Sequence, residues 1–158
     1  MRLIALILSL FSPVLALADQ AVDIDTLDGV TVRLAIVAPS DPKGVAVLFT
    51  GGAGKLRIRK DGTIKKGSNF LVSTREMFKE SGFIAIVPDT PSDRKKGDGL
   101  PGFRDVSEYF EDLTAIIRHV KNAYNLPVWL DGTSAGTILV AHVAAKLKGP
   151  LAPRWDHL

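Results

Sequence analysis

Pro127-Val128-Trp129-Leu130-Asp131-Gly132-Thr133-Ser134-Ala135-Gly136-Thr137-Ile138 is the stretch whose reading decides the fold. Residues 127 to 131 form a short apolar run suited to a parallel-type strand. Ile138 to Leu147 is apolar almost all round, as a helix buried against a sheet would be. The five residues between them match G-x-S-x-G in the strand-turn-helix context that gives this motif its meaning.

The spacing has a steric reason. A serine at the apex of a sharp strand-to-helix elbow needs unusual backbone angles, and side chains two residues away on either side would collide with the closely packed strand and helix. Glycine at 132 and 136 removes those collisions. Ser134 is the candidate nucleophile, and the backbone N–H of Ala135, at the start of the helix, is a candidate oxyanion donor.

Upstream, Val45 to Phe49 is a continuous apolar run typical of a strand covered on both faces. Thr50-Gly51-Gly52-Ala53-Gly54 follows it directly. Glycines let a backbone approach a reacting carbonyl without an intervening Cβ, so the N–H groups of Gly52 and Ala53 are the candidates for a second oxyanion donor.

Further outward, residues 22 to 27 and 30 to 37 read as an antiparallel pair joined at Asp28-Gly29. A polar stretch runs from Gly51 to Asn69. A helix is expected from about Phe70 to Glu80, closed by Ser81-Gly82, and another buried strand over Phe83 to Val87. Residues 88 to 102, rich in proline and glycine, read as a surface loop suited to the rim of a binding site. From about Arg104 to Tyr124, the residues Val106, Phe110, Leu113, Ile116, Ile117 and Val120 recur at helical spacing, which predicts a crossover helix. Strands alternate with helices, so the fold class is α/β, with a central, mostly parallel sheet opened by an antiparallel hairpin.

These two glycine-rich turns, in this order and on successive strands, resemble those of the α/β-hydrolase superfamily from about Ala21 to Lys148. The resemblance implies a serine hydrolase scaffold acting on an ester-like carbonyl of a small-molecule substrate, without cofactor or metal. Ser134 would be its nucleophile, and Ala135 and the Gly51 to Gly54 turn its oxyanion hole. Where the family often has His-Gly at that turn, this sequence has Thr50-Gly51. In this fold the triad acid and histidine follow the nucleophile after further strands, so the sequence reads as an incomplete, C-terminally truncated member, impaired or inactive as this chain. His142, two helical turns past Ser134, is read as carried away from the elbow, and His119 as a solvated residue of the crossover helix. Adjacent Asp156 and His157 do not converge from separate segments as triad partners must. The rival reading is a non-catalytic exported domain that keeps the scaffold for binding.

Residues 1 to 18 have the pattern of a secretory signal peptide: Arg2, the apolar run Leu3 to Leu10, and Ala16-Leu17-Ala18 as a cleavage site. They predict export to the periplasm or the medium, with no stable membrane span after cleavage. Residues 19 to 148 would form the hydrolase core and 149 to 158 an irregular tail, leaving Val128 to Leu130 as an uncovered sheet edge. The 158 residues fit one domain and are 46% hydrophobic, enough to build a core. Twenty basic residues against 17 acidic give a net charge of +3, too balanced to indicate nucleic-acid binding. Without cysteine there is no disulfide framework, thiol chemistry or cysteine-ligated metal. Lys55, Arg57, Arg59, Lys60, Lys65 and Lys66 crowd the stretch after the oxyanion turn, and Arg94-Lys95-Lys96 the rim loop. Attraction of an anionic substrate or surface competes there with an ordinary solvated face. Gly54-Lys55 is not a nucleotide P-loop, because Phe49 replaces its first glycine and Leu56 its Ser/Thr.

Overall fold

The computed structural model describes residues 20 to 66 and 69 to 147, with side chains described through residue 145. The signal-like segment 1 to 18 and the tail 149 to 158 lie outside the described residues. Five strands form one sheet in the order β1-β2-β4-β3-β5. The strands are β1 (Gln20–Asp25), β2 (Thr31–Val37), β3 (Gly44–Phe49), β4 (Phe83–Pro88) and β5 (Val128–Gly132). The helices are α1 (Phe70–Glu80), α2 (Ser107–Tyr124) and α3 (Gly136–Leu147), with a 3-10 turn at Ser92–Arg94. β2 is antiparallel to β1 and β4, and β3 is parallel to β4 and β5.

Every residue of β3 is buried, as the unbroken apolar run requires of a strand with neighbours on both edges and layers on both faces. Its alternation divides the core. Val45, Val47 and Phe49 face α2 and α3, in one cluster with Leu113, Ile116, Val120, Leu139 and Val143. Ala46 and Leu48 face the opposite side, with Leu71 and Val72 of α1.

From β3 the chain runs through α1 to β4 on one side; from β4 it passes through α2 over the other face to β5, on the far side of β3. The C-terminal end of β3 is therefore a topological switch point, where open α/β sheets leave a crevice.

Local chemistry sets the element ends. Asn69 caps α1 by accepting from the Leu71 N–H at 3.0 Å, and Gly82, at φ 84°, closes the helix with its N–H on the Lys79 carbonyl. Asn125 ends α2 in the left-handed conformation at φ 49°. In the β1–β2 hairpin only Gly29 of the Asp28-Gly29 pair takes positive φ, so the connection is a wider loop from Thr26 to Val30, not the two-residue turn with both central angles positive.

Other departures from the sequence reading have physical causes. The crossover helix begins at Ser107, because residues 101 to 106 form turns that hold Phe103 and Arg104 in the interior. The polar stretch after β3 tucks Leu56 and Ile58 beneath the α1 face, with Ile58 bridging Ile64. The loop after β4 is anchored at its ends by buried Asp89, Thr90, Pro91 and Leu100 and exposed only between them. α3 is covered on one face only: Leu139 and Val143 are buried while Ile138 is half exposed, because among the described residues β5 pairs with β3 alone and leaves the flank of α3 open. Trp129 on that edge is also half exposed, its ring meeting Phe83 edge-on. None of the described helices is long and apolar enough to cross a membrane.

Candidate active site

β5 runs straight into the elbow. The Thr133 N–H donates to the Phe49 carbonyl at 3.2 Å, which ties the turn to the end of β3. The Gly136 N–H then closes the turn on the Thr133 carbonyl at 2.8 Å. Ser134 takes φ 53°, a left-handed conformation that costs a residue with a Cβ about 1–2 kcal/mol. Its side chain is exposed at the C-terminal edge of the sheet.

Gly132 and Gly136 are both points of close backbone approach. A Cβ on Gly132 would lie 2.6 Å from the Gly136 carbonyl oxygen, and one on Gly136 would overlap the Phe49 carbonyl oxygen. α3 therefore starts in contact with the backbone of β3, and the Ala135 N–H is left without an acceptor among the described residues. Gly51 is a third close approach: a Cβ there would come 2.8 Å from the Ser134 Cβ and 3.3 Å from its Oγ. The turn after β3 thus lies directly against the serine.

That turn is folded by the Gly54 N–H on the Gly51 carbonyl, with Gly52 at φ 58° and Gly54 at φ 70°. The N–H groups of Gly52 and Ala53 are without acceptors among the described residues. The structure thus brings Ser134, Gly51, Gly52 and Ala53 to one cavity of about 420 Å³, which Lys55, Lys66 and Asn69 also line. Gly52, Ser134 and Ala135 also line a second, largely apolar cavity of about 520 Å³ with Pro101, Gly102 and Ile138. The serine stands between the two.

Three residues that the sequence reading passed over hold this geometry. Arg104, 7% exposed, donates from Nη1 to the Thr50 carbonyl at 3.2 Å and from Nη2 to the Gly52 carbonyl at 2.6 Å. Burial pushes its pKa below the usual guanidinium value, partly offset by Tyr109. Asp89 accepts from the N–H groups of Leu56, Ile58 and Thr90 at 2.8–3.0 Å, fixing the strand-like stretch after the turn. Asn69 accepts from Leu71 and, at 3.4 Å, from the Thr133 hydroxyl, joining α1 to the elbow. Asn69 carried a readable signal, an amide immediately before an apolar helical run. Arg104 and Asp89 carried none, since the turn and the stretch they hold are backbone more than thirty residues away, Thr90 beside Asp89 excepted.

The two described histidines lie elsewhere. His142 packs its ring 5.5 Å from that of Phe110 between α3 and α2, and His119 sits part-buried on α2. Neither lines a cavity that contains Ser134. Among the described residues no group of three His, Cys, Asp or Glu side chains is placed to hold a metal.

No family model matches the sequence, and no curated protein matches it. Solved structures do match the fold. A dienelactone hydrolase from Anabaena variabilis superposes with a TM-score of 0.65 at 16% identity, over 82% of this chain and 57% of that one. A thermostable carboxyl esterase from Bacillus coagulans gives 0.60 at 20% identity, over 84% and 42%. An α/β hydrolase from a Penicillium species gives 0.59 at 22% identity, over 82% and 42%. The chain thus spans about half the length of these structures. Its five-stranded mixed sheet and three helices are a partial α/β-hydrolase fold.

Proposed function

We propose that this chain carries the nucleophile and oxyanion hole of a serine hydrolase acting on ester-like carbonyls of small molecules. Ser134 is the nucleophile, and the Ala135 N–H with that of Gly52 or Ala53 forms the oxyanion hole. The observation that carries the reading is the φ of 53° at Ser134, a non-glycine residue in a strained conformation beside two glycine-rich turns. Strain of this kind persists where surrounding structure over-determines it, and it concentrates at functional sites. Free N–H groups on both sides of the serine supply donors where a tetrahedral oxyanion would form.

In the acylation step the Ser134 Oγ bonds to the substrate carbonyl carbon, the bond from that carbon to the leaving oxygen breaks, and the serine proton goes to a base. Water then releases the acid by the same sequence in reverse. Neither His119 nor His142 lines the cavities at Ser134, so the described residues support acylation best with activated esters, whose leaving group departs as a stable anion and whose serine proton is lost to solvent. Mixing the chain with p-nitrophenyl acetate should release one equivalent of p-nitrophenolate per chain in a burst that Ser134→Ala lacks. Equal release from both proteins would refute the reading.

A second reading is a non-catalytic binding domain on the same scaffold, which the engagement of His142 with Phe110 favours. It predicts no burst, with ligand affinity unchanged in Ser134→Ala. For the location we propose export, on the strength of Arg2, the Leu3 to Leu10 run and Ala16-Leu17-Ala18. The processed chain should begin at Asp19, and recovery of the protein with residues 1 to 18 still attached would contradict it.

A further inference from the structure

Charge is distributed unevenly around Ser134. The cavity of about 420 Å³ on the side of the oxyanion turn has two ionisable side chains on its wall, Lys55 and Lys66, and no carboxylate. Among the described residues neither lysine forms an ion pair. The carboxylate of Asp89, 6% exposed and bonded to three backbone N–H groups, lines the neighbouring cavity with Lys55, Arg57 and Lys95, where the cations outnumber it. The Lys55 ammonium donates to the carbonyl of Gly97, a neutral partner that fixes its position without cancelling its charge. Asn69 completes the wall, its side-chain oxygen taken up by Leu71 and Thr133. The cavity across the elbow differs: Pro101, Gly102 and Ile138 make it largely apolar, and its lining holds one basic and one acidic residue, Arg104 and Asp105.

A recessed site with uncompensated charge of one sign concentrates ligands of the other sign and raises their encounter rate by ten- to a thousandfold. Resting on the acyl-transfer reading above, we infer that the substrate is an ester or lactone bearing a carboxylate a few bonds from the scissile carbonyl. Lys66 and Lys55 receive the carboxylate, and the remaining apolar part lies towards Pro101 and Ile138. The exposed ammonium of Lys66 supplies attraction, and the tethered ammonium of Lys55 supplies a fixed position.

The test compares acylation rates of the full chain for two matched pairs of esters. Mono-p-nitrophenyl glutarate against p-nitrophenyl pentanoate places the charge on the acyl side, and 4-acetoxybenzoate against phenyl acetate places it on the leaving side. The charged ester of at least one pair should react about tenfold faster, with the advantage shrinking as salt rises. The ratio should fall towards one in Lys55→Gln and Lys66→Gln, while Lys79→Gln on the far end of α1 keeps the wild-type ratio. A burst without preference for charge in either pair, or a preference that survives both substitutions, overturns the anionic substrate and leaves the acyl-transfer reading standing. No burst from any of the four esters overturns both.

Discussion

Arg104 and Gly52 are joined by a 2.6 Å hydrogen bond from the guanidinium to the Gly52 carbonyl, and a second bond from the same side chain reaches the Thr50 carbonyl at 3.2 Å. A planar cation from the segment before α2 thus grips the turn after β3 by two of its carbonyls. Those oxygens are held by Arg104, while the N–H groups of Gly52 and Ala53 have no acceptor among the described residues. Among the described residues the Arg104 Nε is buried without a hydrogen-bond partner.

Arg104→Met should therefore loosen the turn. Unfolding stability should fall by about 1–3 kcal/mol, the usual cost of leaving buried polar groups without partners. Arg104→Lys should not restore it, because an ammonium cannot reproduce the fork that spans two carbonyls. Urea denaturation of the three proteins checks this; a lysine variant as stable as the wild type would contradict it.

Gly136 makes a second prediction. A Cβ at that position would overlap the Phe49 carbonyl, and the atoms it meets are backbone of Phe49 and Thr50, which leaves little room for adjustment. Gly136→Ala should lower stability by about 1–3 kcal/mol, as overpacking does, whereas an alanine in the interior of an ordinary helix would raise it. The same experiment at Gly29, where a Cβ meets nothing within 4 Å, isolates the separate cost of φ 70°.

Ser134 allows strain and chemistry to be separated. Because its φ is 53°, Ser134→Gly should be about 1 kcal/mol more stable than Ser134→Ala, which keeps the Cβ in the left-handed region. Both should lose acylation. Equal stabilities by urea denaturation would mean that the elbow is unstrained.

Asp112 on α2 predicts a dependence on pH. It is 1% exposed, and among the described residues neither carboxylate oxygen has a hydrogen-bond partner. Burial pushes its pKa above the ordinary 3.8; proximity to the Thr26 hydroxyl works the other way, but that hydroxyl donates to the Val30 carbonyl. A carboxyl with a raised folded-state pKa contributes its stability fully below the unfolded value and loses it as pH rises through the folded value. Relative to Asp112→Asn, the wild type should lose stability as pH climbs from below 3.8 towards neutrality. A difference that stays flat over that range would contradict the assignment.

The parts of this molecule that were legible in its sequence are those governed by local rules. Val45 to Phe49 announces a strand buried on both faces, Ser81-Gly82 a helix end, and Gly132-Thr133-Ser134-Ala135-Gly136 an elbow. In each case the determining atoms lie within a few residues of one another. Arg104, Asp89 and Asp112 were illegible because their surroundings are assembled from distant segments, and a buried charge looks in sequence like any surface charge. The open flank of α3 was missed for a related reason. Its apolar residues state what the helix can bury, while the sheet order decides what is there to bury it.

The proposed function rests on the reactivity of one hydroxyl. Incubating the chain with a fluorophosphonate and mapping the adduct by peptide mass spectrometry tests it most directly. Stoichiometric phosphonylation is expected at Ser134, abolished in Ser134→Ala and slowed in Arg104→Met. An unlabelled Ser134 in folded protein, or an adduct spread over other serines, would contradict it.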